Sequence, residues 1–104
     1  MNIRSCIPDF EHFLSGLELA SRIKTTHTLG LLKEFGAFLR MPYSKKISRE
    51  LFELRMTGRQ EVRVLYSFRK DSVLLLNAFI KKQQRIPLKE IRLALNRLKW
   101  FDNK

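Results

Sequence analysis

The chain has 104 residues, 44% of them hydrophobic with eight Phe, and a formal charge of +11 from 21 Lys and Arg against 10 Asp and Glu. That length allows one domain with one core, residues 1–104, and the apolar content excludes a disordered chain. A folded domain this basic points to a polyanion or an acidic protein as partner, and the charge is uneven: 8 cations against 5 anions in residues 1–50, 13 against 5 in residues 51–104.

Residues 2–7 are consistent with either an edge strand or a loose arm. The segment MNIRSCIPDF has no signal-peptide apolar core, and no run approaches the ~18 residues of a membrane span, so a reduced cytoplasmic location is expected. The single Cys6 excludes an internal disulfide and is expected to be a small buried or half-buried residue. No Cys/His spacing indicates zinc, and neither a metal nor a cofactor is expected.

Pro8 and Asp9 are good helix-start residues, and Phe10, Phe13, Leu14, Leu17 and Ala20 recur at helical spacing. Gly16 weakens that helix by about 1 kcal/mol relative to Ala. Thr25-Thr26-His27-Thr28 reads as a break with several candidate caps. A second helix then carries Leu31, Leu32, Phe35, Phe38 and Leu39, and Met41-Pro42 ends it, because the residue before proline is pushed out of the helical region. Tyr43 to Glu50 is a polar connector holding Lys45, Lys46 and Arg49.

Leu51 to Pro87 is the organising stretch. Three apolar runs are separated by Thr57-Gly58-Arg59-Gln60 and by Lys70-Asp71-Ser72, the pattern of an antiparallel meander. Phe52, Leu54 and Met56 share one face of the first strand, opposite Glu53 and Arg55. Val62, Val64, Tyr66 and Phe68 share one face of the second, opposite Arg63, Leu65, Ser67 and Arg69. The third, VLLLNAFI, is apolar on both sides, as a doubly covered strand is. Lys81-Lys82-Gln83-Gln84-Arg85 forms a cationic exit turn. Pro87 opens a last helix with Leu88, Ile91, Ala94, Leu95 and Leu98 on one side and Lys89, Arg92, Asn96 and Lys99 on the other; Trp100 and Phe101 are expected to fold back on the core. The expected class is α+β: a small antiparallel sheet of three to four strands, two N-terminal helices and one C-terminal helix, with the helices on one face and the other partly open.

No P-loop, dinucleotide turn, nucleophile elbow or paired-carboxylate signal is present. His12 and His27 read as structural or solvated. What remains is a cationic constellation. Arg55 and Arg63 on neighbouring strands project from one face if Gly58 centres the hairpin, with Lys81, Lys82 and Arg85 leaving the third strand beside them. Arginine donates bidentately to phosphate and stays charged, and Gln84 adds a neutral hydrogen bond. The competing reading makes these ordinary surface charges, or partners of Glu53 and Glu61.

The run MPYSKKISRELFELRMTGRQEVRVLYSF, followed by VLLLNAFIKKQQRIPLKEIRLALNRL, resembles the RelE/HigB superfamily of toxin–antitoxin toxins in its phage-derived branch. The resemblance runs through Lys45-Lys46, Leu51, Glu53-Leu54-Arg55, Arg63-Val64-Leu65-Tyr66, Phe79, Lys81-Lys82, Gln84, Pro87, Glu90-Ile91, Ala94 and Arg97, covering about residues 31–98. Family members usually begin with an additional strand. Where relatives often carry His before a glycine–Phe pair, this chain has Asn77-Ala78.

The resemblance implies a RelE-like fold and a cytotoxic endoribonuclease that cuts mRNA in the ribosomal A site. It also implies a cognate antitoxin with a helix-turn-helix domain, and contact with operator DNA only through that antitoxin. The RNA 2′-OH would be the nucleophile, so the protein supplies alignment and charge. Arg55 and Arg63 would hold the scissile phosphate, and Lys82 with Lys81 or Arg85 would stabilise the transition state or donate a proton. Lys45, Lys46, Arg59 and Gln84 would be further RNA contacts. Tyr66, the nearby phenol, alternates inward, and the acid–base pair is unassigned. Two other readings stand beside this one: a non-enzymatic toxin of the same fold acting on gyrase, and a basic adaptor that binds nucleic acid or an acidic partner.

Overall fold

The computed structural model describes residues 1–104. In chain order they form β1 (Asn2–Ser5), α1 (Phe10–Ser15), α2 (Leu19–Phe35), a 3-10 turn (Gly36–Phe38), β2 (Ser44–Lys46), β3 (Phe52–Met56), β4 (Val62–Arg69), β5 (Ser72–Ile80) and α3 (Leu88–Asp102). The five strands make one sheet in the order β1-β5-β4-β3-β2. β1 runs parallel to β5, and every other pair is antiparallel. The α+β class and the meander are as the pattern predicts. The sheet has five strands rather than three or four because two short edges are added. β1 has four residues and β2 three, too few to show a period, and pairing with a longer neighbour is what makes them strands.

The helices occupy both faces of the sheet, not one. On the first face Leu17 and Leu32 pack with Leu54, Met56, Val62, Val64, Tyr66, Val73 and Leu75. On the second, Ala94 and Leu98 of α3 pack with Leu51, Leu65, Leu74, Leu76 and Phe79. A doubly covered β5 therefore reads as the continuous apolar run seen in the sequence. A bulge interrupts the alternation of β5 near its end. Leu65 pairs with Asn77 and Tyr66 with Leu75, which leaves Leu76 as an extra residue on β5. Beyond the bulge the alternation is reset: Ala78 and Ile80 join the α2 side and Phe79 the α3 side. Asn77 turns to α3 as well, where its Nδ2 donates to the Glu90 carbonyl at 3.0 Å and to Glu90 Oε1 at 2.9 Å. At the other end of α3, Arg69 donates to both oxygens of Asp102 at 2.9 Å and to Glu50 at 2.7 Å.

The helix boundaries differ from the periodic reading. α1 stops after six residues, where the Gly16 N–H bonds the His12 and Phe13 carbonyls. α2 then runs unbroken through Thr25-Thr26-His27-Thr28. Its buried stripe is Ser21, Thr25, Thr28 and Leu32, three small polar residues and one leucine pressed on the sheet, and burial overrides the weak helix propensity of the first three. The Thr28 hydroxyl donates to the Lys24 carbonyl at 2.8 Å, so it needs no partner outside the helix. The helix ends at Gly36, whose φ of 51° suits glycine, before Met41-Pro42 is reached. Ala20, Phe35 and Phe38 are consequently exposed rather than in the core. Leu88 and Leu95 are likewise exposed. Trp100 is 62% exposed and does not fold back, although Phe101 packs against the second cluster. Cys6 is half-buried, and burial pushes its thiol pKa up.

Thr25 Oγ1 is buried with no hydrogen-bond partner. Thr25→Val keeps the branched shape and removes the unsatisfied hydroxyl, so it is expected to raise the unfolding free energy by about 1 kcal/mol, read from urea titration.

Candidate nucleic-acid interface

The site is built on the second face of the sheet, beyond the area that α3 covers. Arg55 on β3 and Arg63 on β4 are directly opposed partners in the ladder. Like charges at such a position repel, so the pair needs a counter-ion. Glu53, two residues before Arg55 and therefore on the same face, provides it. One of its oxygens lies 3.7 Å from Arg55 Nε and the other 3.2 Å from Arg63 Nε. Glu61, two residues before Arg63, adds a second carboxylate: its Oε1 accepts from Arg63 Nη2 at 2.9 Å, and its Oε2 accepts from the Gly58 N–H at 3.1 Å. Arg63 Nη1 donates to the Val62 carbonyl at 2.9 Å.

Arg63 is thus not a solvated surface charge. It is 2% exposed and forms the floor of the site. Arg55 stands at the open edge, with Nη1 3.6 Å from Met41 Sδ. Both Nε atoms are buried, and neither meets hydrogen-bond geometry despite the nearby Glu53 oxygens. Two donors at one place are therefore left without an aligned acceptor.

The exit turn reaches this floor through the backbone. The Lys81 N–H bonds the Glu61 carbonyl at 2.7 Å, docking the start of the turn on the β3–β4 loop. The result is an open cleft of about 520 Å³ lined by Arg55, Glu61, Arg63, Lys81, Lys82, Gln83 and Gln84, with no hydrophobic residue among them. Four cations face one rim carboxylate. An adjoining groove of about 390 Å³ shares Arg55, Lys81 and Gln84 and adds Lys45 and Arg85. Of the candidates named from sequence, Arg55, Arg63, Lys81, Lys82 and Gln84 come together, with Lys45 and Arg85 next to them.

Lys46 and Arg59 do not join. Lys46 pairs with Phe52, so strand alternation sends it to the other face, where its Nζ lies 5.8 Å from the centre of the Phe52 ring. Arg59 lies at the hairpin tip, 3.6 Å from Glu18. Glu53 and Glu61, which the competing reading of the sequence names as ion-pair partners of these arginines, do pair with them and are integral parts of the site. Their signal was present in the sequence as a carboxylate two places before each arginine. Gln83 had no such signal. Asn77 is bound to Glu90 and Tyr66 is 1% exposed, its hydroxyl paired with Ser44; burial raises the Tyr66 pKa more than that hydrogen bond lowers it. No three His, Cys, Asp or Glu side chains come together as a metal site would require.

An α+β domain with a cationic cleft at the open edge of its meander defines a class of small basic proteins. Residues 12–99 match the family described as Phage derived protein Gp49-like (DUF891), and the chain belongs to that family, a phage-derived member of the RelE/HigB-like toxins. Family membership places it among relatives of toxin–antitoxin toxins and suggests a cognate antitoxin as partner. A search of curated proteins returned no match. No helix of the chain is long and apolar enough to cross a membrane.

Two outcomes test the electrostatic construction. Glu53→Gln removes the buried counter-ion common to both arginines and is expected to cost roughly 3 kcal/mol of stability in chemical denaturation. Glu61 is different: burial alone would raise its carboxyl pKa, but the hydrogen bonds from Arg63 and Gly58 outweigh this and hold it below the ordinary glutamate value. Its contribution is therefore complete above about pH 4.3 and is lost as pH falls through the folded-state value. Melting temperatures followed downward from about pH 6 should show an acid-side loss in the native chain that is smaller in Glu61→Gln.

Proposed function

We propose that the chain is the toxin of a toxin–antitoxin pair and a metal-independent endoribonuclease that cuts mRNA in the ribosomal A site. The observation that carries this reading is the opposition of Arg55 and Arg63 across β3 and β4, at the floor of a cleft whose wall is Lys81 and Lys82. A phosphodiester needs this charge arrangement when it passes to a phosphorane with additional negative charge.

In the proposed reaction the RNA 2′-oxygen attacks the adjacent phosphorus and the bond to the 5′-oxygen breaks. The products are a 2′,3′-cyclic phosphate and a 5′-hydroxyl. One proton leaves the 2′-OH and one is taken up by the 5′-oxygen, so a base and an acid are both required. Arg55 and Arg63 would bind the phosphate; Arg63, fixed by Glu53, Glu61 and Val62, would do so without reorganising. Lys82, with Lys81, would stabilise the phosphorane or give the proton to the leaving oxygen, and Gln84 would hydrogen-bond a neighbouring oxygen. Arg85 and Lys45 would steer the strand along the adjoining groove. With Asn77 bonded to Glu90 and Tyr66 in the core, orientation or proton transfer supplied by the ribosome fits this set of residues. The antitoxin, read as a helix-turn-helix protein from the family resemblance, would meet a +11 surface with acidic contacts and would carry any operator binding.

A toxin of the same fold that acts on gyrase is the competing reading, and fold alone does not separate the two. Inducible expression followed by mapping of cellular mRNA 5′ ends does. Codon-phased cuts are expected, whereas growth arrest with intact transcripts and damaged DNA would transfer the assignment to gyrase. Lys82→Ala and Arg55→Ala are each expected to lower the cleavage rate about 100-fold or more, and unchanged toxicity in both would remove the cleft from the mechanism.

A further inference from the structure

Arg55 borders a third depression on its far side. There α2 contributes Lys24, His27 and Thr28, and the turn entering β2 contributes Pro42 and Tyr43, around a volume of about 290 Å³. That is the small end of the ligand-pocket range, about 300–1,000 Å³, and suits a single nucleotide. It differs from the cationic cleft in kind. Tyr43 is an aromatic with 42% of its surface open, and the His27 side chain is exposed beside it.

We propose that this depression is a base-binding subsite, in which the nucleobase next to the phosphate held at Arg55 stacks on Tyr43 with its edge toward His27. The inference rests on the reading of the cationic cleft as an RNA site. Three observations carry it. First, a single strand anchored by one phosphate must place its flanking nucleotides in whatever grooves adjoin that anchor. Arg55 is common to the cleft, to the Lys45–Arg85 groove and to this depression, so the three form one track with Arg55 in the middle. Second, the two ends of the track differ chemically. The Lys45–Arg85 end combines cations with Ile47, Ile86, Leu88 and Ile91 and has no aromatic ring, and the other end offers an open aromatic ring, the surface on which unpaired bases are held. Third, the ring is on a fixed support. The Tyr43 carbonyl accepts the Arg55 backbone N–H at 2.8 Å, which ties the two main chains together, and the Lys24 ammonium donates to the Thr57 carbonyl, clamping α2 to the end of β3. Lys24 and Arg55 then flank the base with positive charge.

The sequence pattern puts His27 in a break between helices and Tyr43 in a connector. Continuity of α2 through Thr25–Thr28 is what brings His27 to the rim of this depression.

The test uses the full chain and a short 2′-O-methyl oligoribonucleotide, which cannot be cleaved, together with versions abasic at each position in turn. The native chain is expected to bind the intact oligonucleotide roughly tenfold more tightly than one of the abasic versions. Tyr43→Ala should abolish that difference and Tyr43→Phe should keep it, while Lys82→Ala should weaken intact and abasic forms alike. Equal binding of intact and abasic forms by the native chain, with Lys82→Ala still weakening both, would overturn the base subsite and leave the phosphate cleft standing. Base dependence that persists in both Tyr43→Ala and His27→Ala would overturn its placement here. Absence of binding by any of the oligonucleotides at low salt would overturn the subsite and the RNA reading together.

Discussion

The site depends on two guanidinium groups held face to face across a pair of strands. Neither strand tolerates that juxtaposition alone, because opposed like charges weaken a ladder and a buried arginine is costly without a partner. Glu53 resolves both difficulties from one position, sharing its two oxygens between Arg55 and Arg63. Glu61 and the Val62 carbonyl complete the binding of Arg63. The protein therefore carries its own counter-ions for the arginines of the cleft. Because those carboxylates are supplied by the same strands as the arginines, positive charge at the floor is oriented by the sheet rather than by flexible stems. The lysines of the exit turn stand on the wall of the open cleft.

The remainder of the fold serves to keep this edge of the sheet bare. α3 crosses the second face over β5 and β4, anchored at one end by Asn77 to Glu90 and at the other by Arg69 to Asp102 and Glu50. The bulge at Leu76 turns Asn77 and Phe79 to that side, and the Phe79 backbone pairs with Arg63. Hydrophobic burial under α3 thus ends where the charged cleft begins. On the opposite face α2 packs through small residues, which lets it lie close to β3 and bring its own polar residues to the rim near Arg55. One arginine near the end of β3 borders three depressions.

Membership of the Gp49-like family makes the chain a relative of toxin–antitoxin toxins, and a shared fold does not by itself fix a target. The asymmetric distribution, with most of the excess cations in the second half of the chain, concentrates positive potential on the meander and its exit turn.

Alternation of apolar and charged residues from Leu51 to Ile80 determined the meander, its two faces and the common face of Arg55 and Arg63, since a period of two leaves little freedom in where side chains point. The cation cluster after β5 and the helix starting beyond Pro87 were equally legible. Contacts between distant segments decided the rest. β1 and β2 are strands only because β5 and β3 offer them a ladder. The threonine-rich stretch is helical because the sheet buries Thr25 and Thr28, and α3 takes the far face because Leu51, Leu65, Leu74 and Leu76 form an apolar surface there, which the bulge extends to Phe79. Lys45 and Lys46 are neighbours in sequence, yet only Lys45 reaches the cleft, and Tyr43 and His27 meet Arg55 only through packing. Local pattern records which way a side chain faces; which other side chains it meets depends on long-range pairing and burial, and those have no signature in a short window of sequence.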